Sequence, residues 1–280
     1  MKTIYAKKSL GQHFLNSPSV LAKIIDASNI LPNETVLEIG PGTGILTKKL
    51  IEGGAHVIAI EKDNRAYAFL KEIMVREIEE GKLNLILGDI LEFDTKTLKS
   101  LRATEGNYAI VANIPYYITG AILRKFLENS PRPNRMILLV QKEVATRMVA
   151  RDKKESLLSI SVKAFGTPRI VDIVPKGAFV PPPNVDSAII AIENISDAHF
   201  CEKPKDVAIS SFFAVLHAGF AHKRKILIRN LEDVAKNDPT STLDKNKITE
   251  IWKSLGLDEK IRAEDLSIDQ WLNIIAQIAA

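Results

Sequence analysis

The tetrapeptide Asn113-Ile114-Pro115-Tyr116 carries residue types that could act on a nucleobase. It follows an apolar run at residues 108–112, which predicts a buried strand, and Pro115 predicts that the strand ends there. An exocyclic amino group on a base needs acceptors for its hydrogens and a flat surface for its ring. We therefore predict that the Asn113 side-chain oxygen and the Ile114 carbonyl oxygen accept these hydrogens, while Tyr116 stacks on the base.

A glycine-rich turn that contains Gly40, Gly42 and Gly44 lies between a predicted strand and a predicted helix. Such a turn presents backbone N–H groups at a helix N-terminus and lets a ligand approach the main chain closely. Dinucleotide-binding turns have the pattern G-x-G-x-x-G, whose third glycine would fall at Ile45, so the spacing argues against a pyrophosphate. It favours S-adenosylmethionine, which has no phosphate, and we expect Gly40 and Gly42 to bind this cofactor.

Acidic residues stand at the ends of the next two predicted strands. Glu61 ends the strand at residues 57–60, and Asp89 follows the strand at residues 83–87. In a doubly wound sheet the carboxyl ends of the strands line one crevice. We predict that Glu61 accepts hydrogen bonds from both ribose hydroxyls and that Asp89 accepts one from the adenine amino group. The alternative for each residue is a solvated acid that stabilises the start of a helix.

The alternation of strands and helices from residue 36 onward predicts an α/β fold with a Rossmann-like, doubly wound, mostly parallel sheet. A long helix is predicted at residues 64–80. Later strands are predicted at residues 136–140, 159–165, 170–174 and 187–192. The last two form an antiparallel hairpin around a proline-rich loop. After about residue 200 only helices are predicted, so we expect a cofactor-binding domain over residues 1–200 and a small all-helical domain over residues 201–280.

Composition bounds the class of protein. The 280 residues are 46% hydrophobic and 26% charged, which predicts a packed globular core, and the net charge of +4 permits a nucleic-acid partner without requiring one. A single cysteine, Cys201, excludes an internal disulfide and indicates a cytoplasmic location. The N-terminal residues are too polar for a signal peptide, no apolar run approaches about 18 residues, and no metal-ligand spacing is present. We expect no membrane association and no metal.

Two clusters of basic residues could contact RNA phosphates, which give affinity and salt dependence without base specificity. One cluster comprises Lys223, Arg224, Lys225 and Arg229. The other comprises Arg147, Arg151, Lys153 and Lys154. The alternative for both clusters is a solvated helix face.

Six motifs carry a resemblance to a known family. They lie at residues 10–15, 38–44, 113–116, 179–187, 223–225 and 262–267. Across nearly its whole length the chain resembles the bacterial adenine N6,N6-dimethyltransferases of 16S ribosomal RNA, the kasugamycin-sensitivity enzymes of the ribosomal RNA adenine dimethylase family. The first four motifs are shared with the erythromycin-resistance methyltransferases of large-subunit RNA, whereas the last two are more specific to the small-subunit enzymes.

The resemblance implies a set of site residues. The cofactor would be contacted by His13, Leu15, Gly40, Glu61, Asp89 and Asn113. The family often has Asn where this chain has His13. A cofactor contact made by the backbone at this position would be the same for either residue, whereas a contact made by the Asn side chain would not. From the sequence alone His13 is equally consistent with an ordinary loop histidine. Pro115 would set the turn, and Phe179 would close the other face of the target adenine.

The resemblance also implies the reaction and the partner. The substrate would be two adjacent adenosines in a hairpin loop of 16S rRNA within the immature 30S subunit, each dimethylated on N6 by a monomeric, cytoplasmic enzyme. A base inside a duplex cannot reach such a site, so the target must be unpaired or flipped out. The alternatives are methylation of large-subunit RNA and a non-catalytic assembly or transcription factor of the same fold. The intact tetrapeptide disfavours loss of activity, and the glycine spacing disfavours a dehydrogenase.

Overall fold

The computed structural model describes residues 4–7, 10–150, 154–201, 208–237 and 245–279. The chain divides into two compact units, one formed by Met1–Thr146 with Gly166–Ile195 and the other by Arg147–Phe165 with Ser196–Ala280. The predicted second domain begins at residue 201, whereas the second unit of the structure also takes in residues 147–165 and 196–200.

The first unit is built on a seven-stranded sheet and a short two-stranded ribbon. The strands are β1 (Phe14–Leu15), β2 (Thr35–Ile39), β3 (His56–Glu61), β4 (Leu83–Leu87), β5 (Tyr108–Asn113), β6 (Arg135–Gln141), β7 (Thr167–Val174), β8 (Phe179–Val180) and β9 (Ser187–Glu193). The large sheet has the order β4-β3-β2-β5-β6-β9-β7, and β1 pairs with β8 in the ribbon. Strands β2 to β6 run parallel, while β9 is antiparallel to both β6 and β7. The predicted α/β class and the antiparallel hairpin are confirmed.

Six helices connect or follow these strands: α1 (Pro18–Ser28), α2 (Ile45–Glu52), α3 (Asn64–Ile73), α4 (Val75–Glu79), α5 (Thr119–Leu127) and α6 (Lys142–Val149). The predicted long helix over residues 64–80 is wrong, because Met74 has φ −117° and ψ 29° and separates α3 from α4. Ser17 caps α1 by accepting a hydrogen bond from the Val20 amide, as its position before Pro18 indicates.

The second unit contains helices only, among the residues that are described. They are α7 (Leu157–Lys163), α8 (Ala198–Cys201), α9 (Ile209–Phe220), α10 (Leu227–Asn237), α11 (Lys245–Ser254) and α12 (Ile268–Ala279). Within the described ranges of both units, no helix is long and apolar enough to span a lipid bilayer.

The predicted strand at residues 159–165 is wrong, because this segment forms α7. Ser156 and Ser159 make a reciprocal capping box, in which each side chain accepts a hydrogen bond from the other residue's amide. This cap satisfies the first amides of the helix and outweighs the strand preference of the β-branched residues that follow. The Phe165 ring then packs on Phe200 and Phe213 at centroid distances of 5.0 and 6.2 Å, which places this segment in the second unit.

A partly buried ion pair fixes the amino end of the sheet. The Arg135 guanidinium, at the start of β6, donates two 2.7 Å hydrogen bonds to the two carboxylate oxygens of Glu34. Its Nε atom also donates to the carbonyl oxygen of Ser28, at the end of α1. Burial would raise the pKa of Glu34, but the hydrogen bonds from Arg135 and its charge hold that pKa below the ordinary value. A fork-to-fork pair of this kind fixes both geometry and register between distant segments.

The order of the strands places a crevice beside the carboxyl ends of β2 and β5. From β2 the chain builds outward through β3 to β4, and it then returns to β5 on the other side of β2. Neighbouring loops diverge where the strand order reverses, which leaves room for a ligand. The glycine turn, Glu61 and Asn113 all follow or end strands at this edge.

Glu38, near the end of β2, is a charged residue type in the sheet core. Its side chain is 1% exposed, and its Oε2 atom has no hydrogen-bond partner in the described part of the chain. Burial raises the pKa of Glu38 to about 8, and the negative charge of Glu61 adds to this shift. At neutral pH the folded protein therefore holds Glu38 mostly protonated.

This pKa predicts a specific pH dependence of stability. Because the folded-state pKa is raised above the ordinary value of 4.5, the contribution of Glu38 is complete below pH 4.5 and is lost as the pH rises toward 8. Glu38→Gln removes that loss, so its free energy of unfolding relative to the parent should increase from pH 5 to pH 8, by at most about 5 kcal/mol. Urea denaturation at several pH values measures this difference, and a difference independent of pH would contradict the assignment.

Candidate active site

A cavity lies at the carboxyl ends of β2, β3, β4 and β5, within the first unit. It encloses about 880 Å³ of empty space, part of which is open to solvent. Its lining consists of residues 10–14, 39, 40, 42, 60–62, 88–91 and 113–118. Nine residues predicted for the site therefore come together here: His13, Gly40, Gly42, Glu61, Asp89, Asn113, Ile114, Pro115 and Tyr116.

The glycine turn provides open backbone on one wall of the cavity. Gly40 and Gly42 have φ values of +68° and +58°, which favour glycine. The Gly40 amide donates a hydrogen bond to the Ile60 carbonyl oxygen, which holds the turn against β3. A Cβ atom added to Gly40 would meet no atom within 4 Å, whereas one added to Gly42 would lie 3.0 Å from the Phe14 ring. A ligand can therefore approach the backbone at Gly40, while Gly42 gives room to Phe14.

Glu61 supports the glycine turn from the end of β3. Its Oε2 atom accepts a 3.0 Å hydrogen bond from the Gly42 amide, and its Oε1 atom accepts a 2.8 Å hydrogen bond from the Asp63 amide. Burial raises the pKa of Glu61, and these backbone hydrogen bonds oppose the shift. Each carboxylate oxygen has two lone pairs, so Glu61 can hold the turn and still accept from a ligand hydroxyl.

Asp89 lines the cavity just after β4 and is held by two donors. Its Oδ2 atom is 2.5 Å from Lys62 Nζ, and its Oδ1 atom accepts a 2.9 Å hydrogen bond from the Leu91 amide. Burial alone would raise the pKa of Asp89, but the hydrogen bonds from Lys62 and Leu91 keep it below the ordinary value. Asp89 is therefore an ionised acceptor at neutral pH.

The Asn113 side chain is held in one orientation at the end of β5. Its Nδ2 atom donates a 2.9 Å hydrogen bond to the backbone carbonyl oxygen of His13. A carbonyl oxygen can only accept, so the nitrogen of the amide must face His13 and the oxygen must lie on the other side. In the described part of the chain no group donates to this Oδ1 atom. The cavity wall therefore holds a positioned acceptor that is available to a ligand.

Tyr116 follows in a short 3-10 turn, Tyr116–Ile118. Its hydroxyl lies 2.6 Å from Ser187 Oγ, and its ring is nearly parallel to the His13 ring, with centroids 6.0 Å apart. Burial raises the pKa of the Tyr116 phenol, and the hydrogen bond with Ser187 opposes this. The His13 side chain is also held, since its Nδ1 atom donates to the carbonyl oxygen of Pro181 at 2.8 Å.

Two predicted site residues do not line the cavity. Leu15 and Phe179 pair with each other across the β1–β8 ribbon and are buried in the hydrophobic core, Phe179 with only 2% of its surface exposed. Because their side chains face the same side of this ribbon, both pack into the core. The expectation that Phe179 closes one face of a bound base, and that Leu15 contacts the cofactor, therefore does not agree with the positions found here.

Other residues of the site carry little signal in the sequence. Gln12 Nε2 donates to Asp63 Oδ2 at 3.2 Å, which ties the loop over the cavity to the end of β3. Lys62 and Tyr117 also line the cavity. The sequence indicates this only through their positions, because each directly follows a predicted site residue, Glu61 or Tyr116. Ser187 is 71 residues from Tyr116, and no local pattern connects the two.

The predicted RNA-binding residues are exposed where they are described. The loop between α9 and α10 carries Lys223, Arg224 and Lys225. Arg229 lies on α10, and Arg147 lies on α6. The two remaining residues, Arg151 and Lys153, lie outside the described residues. Lys225 pairs with Asp233 and Arg229 with Glu232, each at 2.9 Å.

The loop that carries Lys223 and Arg224 is held from inside the second unit. The buried Asn230 side chain donates hydrogen bonds to the carbonyl oxygens of Gly219 and His222, at 2.6 and 3.2 Å. Among the described residues of the whole chain, no group of three or more His, Cys, Asp or Glu side chains could hold a metal ion.

The sequence is similar to curated proteins over nearly its whole length. Curated relatives named "Ribosomal RNA small subunit methyltransferase A" include one from Dehalococcoides mccartyi, 39% identical over 279 residues, which are 99% of this chain and 90% of the relative. Another, from Fusobacterium nucleatum, is 35% identical over 96% of both chains.

Solved structures resemble the chain over a similar length. A dimethyladenosine transferase from Plasmodium falciparum has a TM-score of 0.76 and 29% identity, over 94% of this chain and 96% of its own. The 23S rRNA methyltransferase ErmE has a TM-score of 0.68 at 22% identity, over 95% of this chain and all of its own, and shows the same fold. The family model described as "Ribosomal RNA adenine dimethylase" matches residues 4–280. With this match, and with relatives above 30% identity over nearly its full length, the chain belongs to the ribosomal RNA adenine dimethylase family.

Proposed function

We propose that this protein dimethylates the exocyclic N6 of two adjacent adenosines in a hairpin loop near the 3′ end of 16S rRNA, during maturation of the 30S subunit. Membership of the family and the names of the curated relatives support the reaction and the RNA. The observation that carries the proposal is the Asn113 amide, whose nitrogen is engaged by the His13 carbonyl and whose oxygen is available at the cavity.

The cavity residues fit the methyl donor of this family, S-adenosylmethionine. When bound, this cofactor supplies an electrophilic methyl group on a positively charged sulfur. The open backbone at Gly40 can receive the aminoacyl end, and the lone pairs of Glu61 can accept from ribose hydroxyls. Asp89 can accept a hydrogen bond from the adenine amino group. Lys62 then either keeps its hydrogen bond to the Asp89 carboxylate or gives it up. Leu15 contributes as part of the hydrophobic core of the first unit.

The chain's own residues must overcome the poor nucleophilicity of the target nitrogen, whose lone pair is delocalised into the adenine ring. Acceptors aimed at its hydrogens favour a tetrahedral, positively charged nitrogen over the flat ground state. Asn113 Oδ1 and the Ile114 carbonyl oxygen provide these acceptors. Holding the amine in line can lower the barrier by roughly 7–11 kcal/mol. No strong base is needed, because the hydrogens become acidic once the nitrogen is alkylated.

The aromatic part of the site positions the base. Pro115 sets the turn that brings Tyr116 beside Asn113, and Ser187 and His13 hold the Tyr116 ring in place. The target adenine stacks on this ring after it leaves its own strand. A monomethylated amine still offers one hydrogen to the acceptors, which allows the second transfer. The exposed cations of the second unit bind RNA phosphates, and the protein acts as a cytoplasmic monomer.

The direct test of the reaction uses immature 30S subunits from cells that lack this methylation. The protein is incubated with these subunits and isotopically labelled S-adenosylmethionine, and the RNA is digested and analysed by mass spectrometry. The expected products are two adjacent N6,N6-dimethyladenosines in 16S rRNA. Methylation confined to 23S rRNA, or none at all, would contradict the proposal.

Replacing Asn113 should affect turnover more than cofactor binding. Asn113→Ala removes a positioned acceptor that acts in the transition state, so kcat should fall at least about 100-fold. The Kd for S-adenosylmethionine, measured by calorimetry, should change much less. Asn107→Ala, at an exposed turn outside the cavity, is the matched control and should behave as the parent. A near-normal kcat for Asn113→Ala would exclude the acceptor role.

Two substitutions at Tyr116 separate its ring from its hydroxyl. Tyr116→Phe keeps the stacking surface and loses only the Ser187 hydrogen bond, so RNA methylation should stay within about threefold of the parent. Tyr116→Ala removes the ring, which should reduce kcat/KM for RNA by about 10- to 100-fold. Single-turnover methylation assays give both values. Equal losses in the two variants would show that the hydroxyl, and not the ring face, matters.

Neutralising the exposed basic loop should change the salt dependence of RNA binding. With Lys223, Arg224 and Lys225 all replaced by Gln, the slope of log K against log salt should decrease by about 2 to 3, since each phosphate contact contributes about 0.7–0.9. Filter binding from 50 to 300 mM KCl measures the slope. The control replaces Lys71, Lys96 and Lys99, three exposed lysines of the first unit. An equal decrease in both triple variants would mean that net charge alone is responsible.

A further inference from the structure

Two consecutive tyrosines at the cavity have different environments. Tyr116 is partly buried and its hydroxyl is held by Ser187. Tyr117 also lines the cavity, but 65% of its surface is exposed, and its hydroxyl makes no hydrogen bond with any residue in the described part of the chain. The proposed mechanism uses the Tyr116 ring and leaves the Tyr117 ring without a role.

The exposed Tyr117 ring is nevertheless ordered by its surroundings. Its backbone belongs to the 3-10 turn, in which the Ile118 amide donates to the Pro115 carbonyl oxygen at 3.2 Å. The ring packs against the loop over the cavity, since a Cβ atom added to Gly11 would lie 3.3 Å from Tyr117 Cε1. Contact on one side and water on the other leave a flat, positioned apolar surface at the mouth of the cavity.

A lysine lines the same cavity as the Tyr117 ring. Lys62 also lines the cavity, and its side chain is 55% exposed. The hydrogen bond with Asp89 chiefly raises the pKa of Lys62, and the Tyr117 phenol adds to the shift. An exposed aromatic ring beside a cation is the combination that binds single-stranded nucleic acid, because the ring stacks on a base and the cation pairs with a phosphate.

We propose that Tyr117 and Lys62 bind the unpaired nucleotide next to the target adenosine, with the Tyr117 ring stacked on its base and the Lys62 ammonium paired with its phosphate. This inference rests on the proposed function and extends it to the neighbouring nucleotide. Because residues 116 and 117 are consecutive, two consecutive nucleotides can occupy neighbouring aromatic surfaces. Tyr117 thereby positions the RNA so that one base enters the cavity while the next stays at its mouth.

A nucleotide fits this surface better than a protein partner does. A specific protein interface buries about 800 Å² on each side and has a core of several apolar residues. Here a single exposed ring and a single ammonium line the same cavity, which matches the size and the charge of one nucleotide.

The test uses the full-length protein and an RNA hairpin whose loop contains two adjacent adenosines. Each adenosine is replaced in turn by 2-aminopurine, whose fluorescence is quenched by stacking. Affinity is measured on the same hairpin by fluorescence anisotropy. The variants are Tyr117→Leu, which keeps apolar bulk without a ring, Tyr117→Phe and Lys62→Gln. Tyr5→Leu is the matched control, because Tyr5 is an exposed tyrosine that does not line the cavity.

Tyr117→Leu should weaken hairpin binding by about 10-fold and abolish quenching at one of the two positions, while Tyr117→Phe keeps both. Lys62→Gln should reduce the slope of log K against log salt by about 0.7. Parental affinity and quenching in Tyr117→Leu would overturn the inference, as would losses in Tyr117→Phe equal to those in Tyr117→Leu. Losses of the same size in Tyr5→Leu would also overturn it.

These outcomes are separable from failure of the proposed function. If the parent protein forms no N6-methyladenosine on 30S subunits, the proposed function fails whatever the hairpin shows. If the parent methylates both adenosines and Tyr117→Leu retains parental quenching and affinity, the function stands and the role of Tyr117 is wrong.

Discussion

The hydrogen bond from the Asn113 amide nitrogen to the His13 carbonyl oxygen links the two halves of the candidate site. One partner ends β5, and the other lies in the loop that covers the cavity. The bond positions this loop, and by occupying the donor end of the amide it also directs the acceptor end elsewhere. An acceptor that is already oriented needs no reorganisation when a substrate amine arrives, which is the condition under which polar groups stabilise transition states most effectively.

Carboxyl groups under and beside the glycine turn set the electrostatic character of the cavity. Glu61 holds the turn through the Gly42 amide, and its negative charge helps to keep the buried Glu38 protonated. Burial is the main cause of the raised pKa of both carboxyl groups, because it makes a negative charge costly. A ligand with a positive charge reduces that cost, so a wall of this kind suits a cationic cofactor better than a phosphate-bearing one.

The cavity residues and the exposed basic residues of the second unit are built differently. Cavity groups such as Glu61 and Tyr116 are buried or partly buried and have hydrogen-bond partners that fix them. The side chains of Lys223 and Arg224 are exposed, while the buried Asn230 fixes the backbone of their loop. Exposed charges on a fixed backbone suit phosphates, whose recognition depends more on charge than on exact geometry.

The sequence by itself determined the alternation of strands and helices, the glycine turn and the ends of strands at which polar residues stand, because these depend on local periodicity and backbone preference. Tertiary structure decided the rest. The Ser156 cap stabilises a helix in a segment with strand propensity. The pairing of β1 with β8 directs the side chains of Leu15 and Phe179 toward the core. Contacts such as Tyr116 with Ser187 join residues far apart in the chain, and only the packing of the folded sheet brings such residues together.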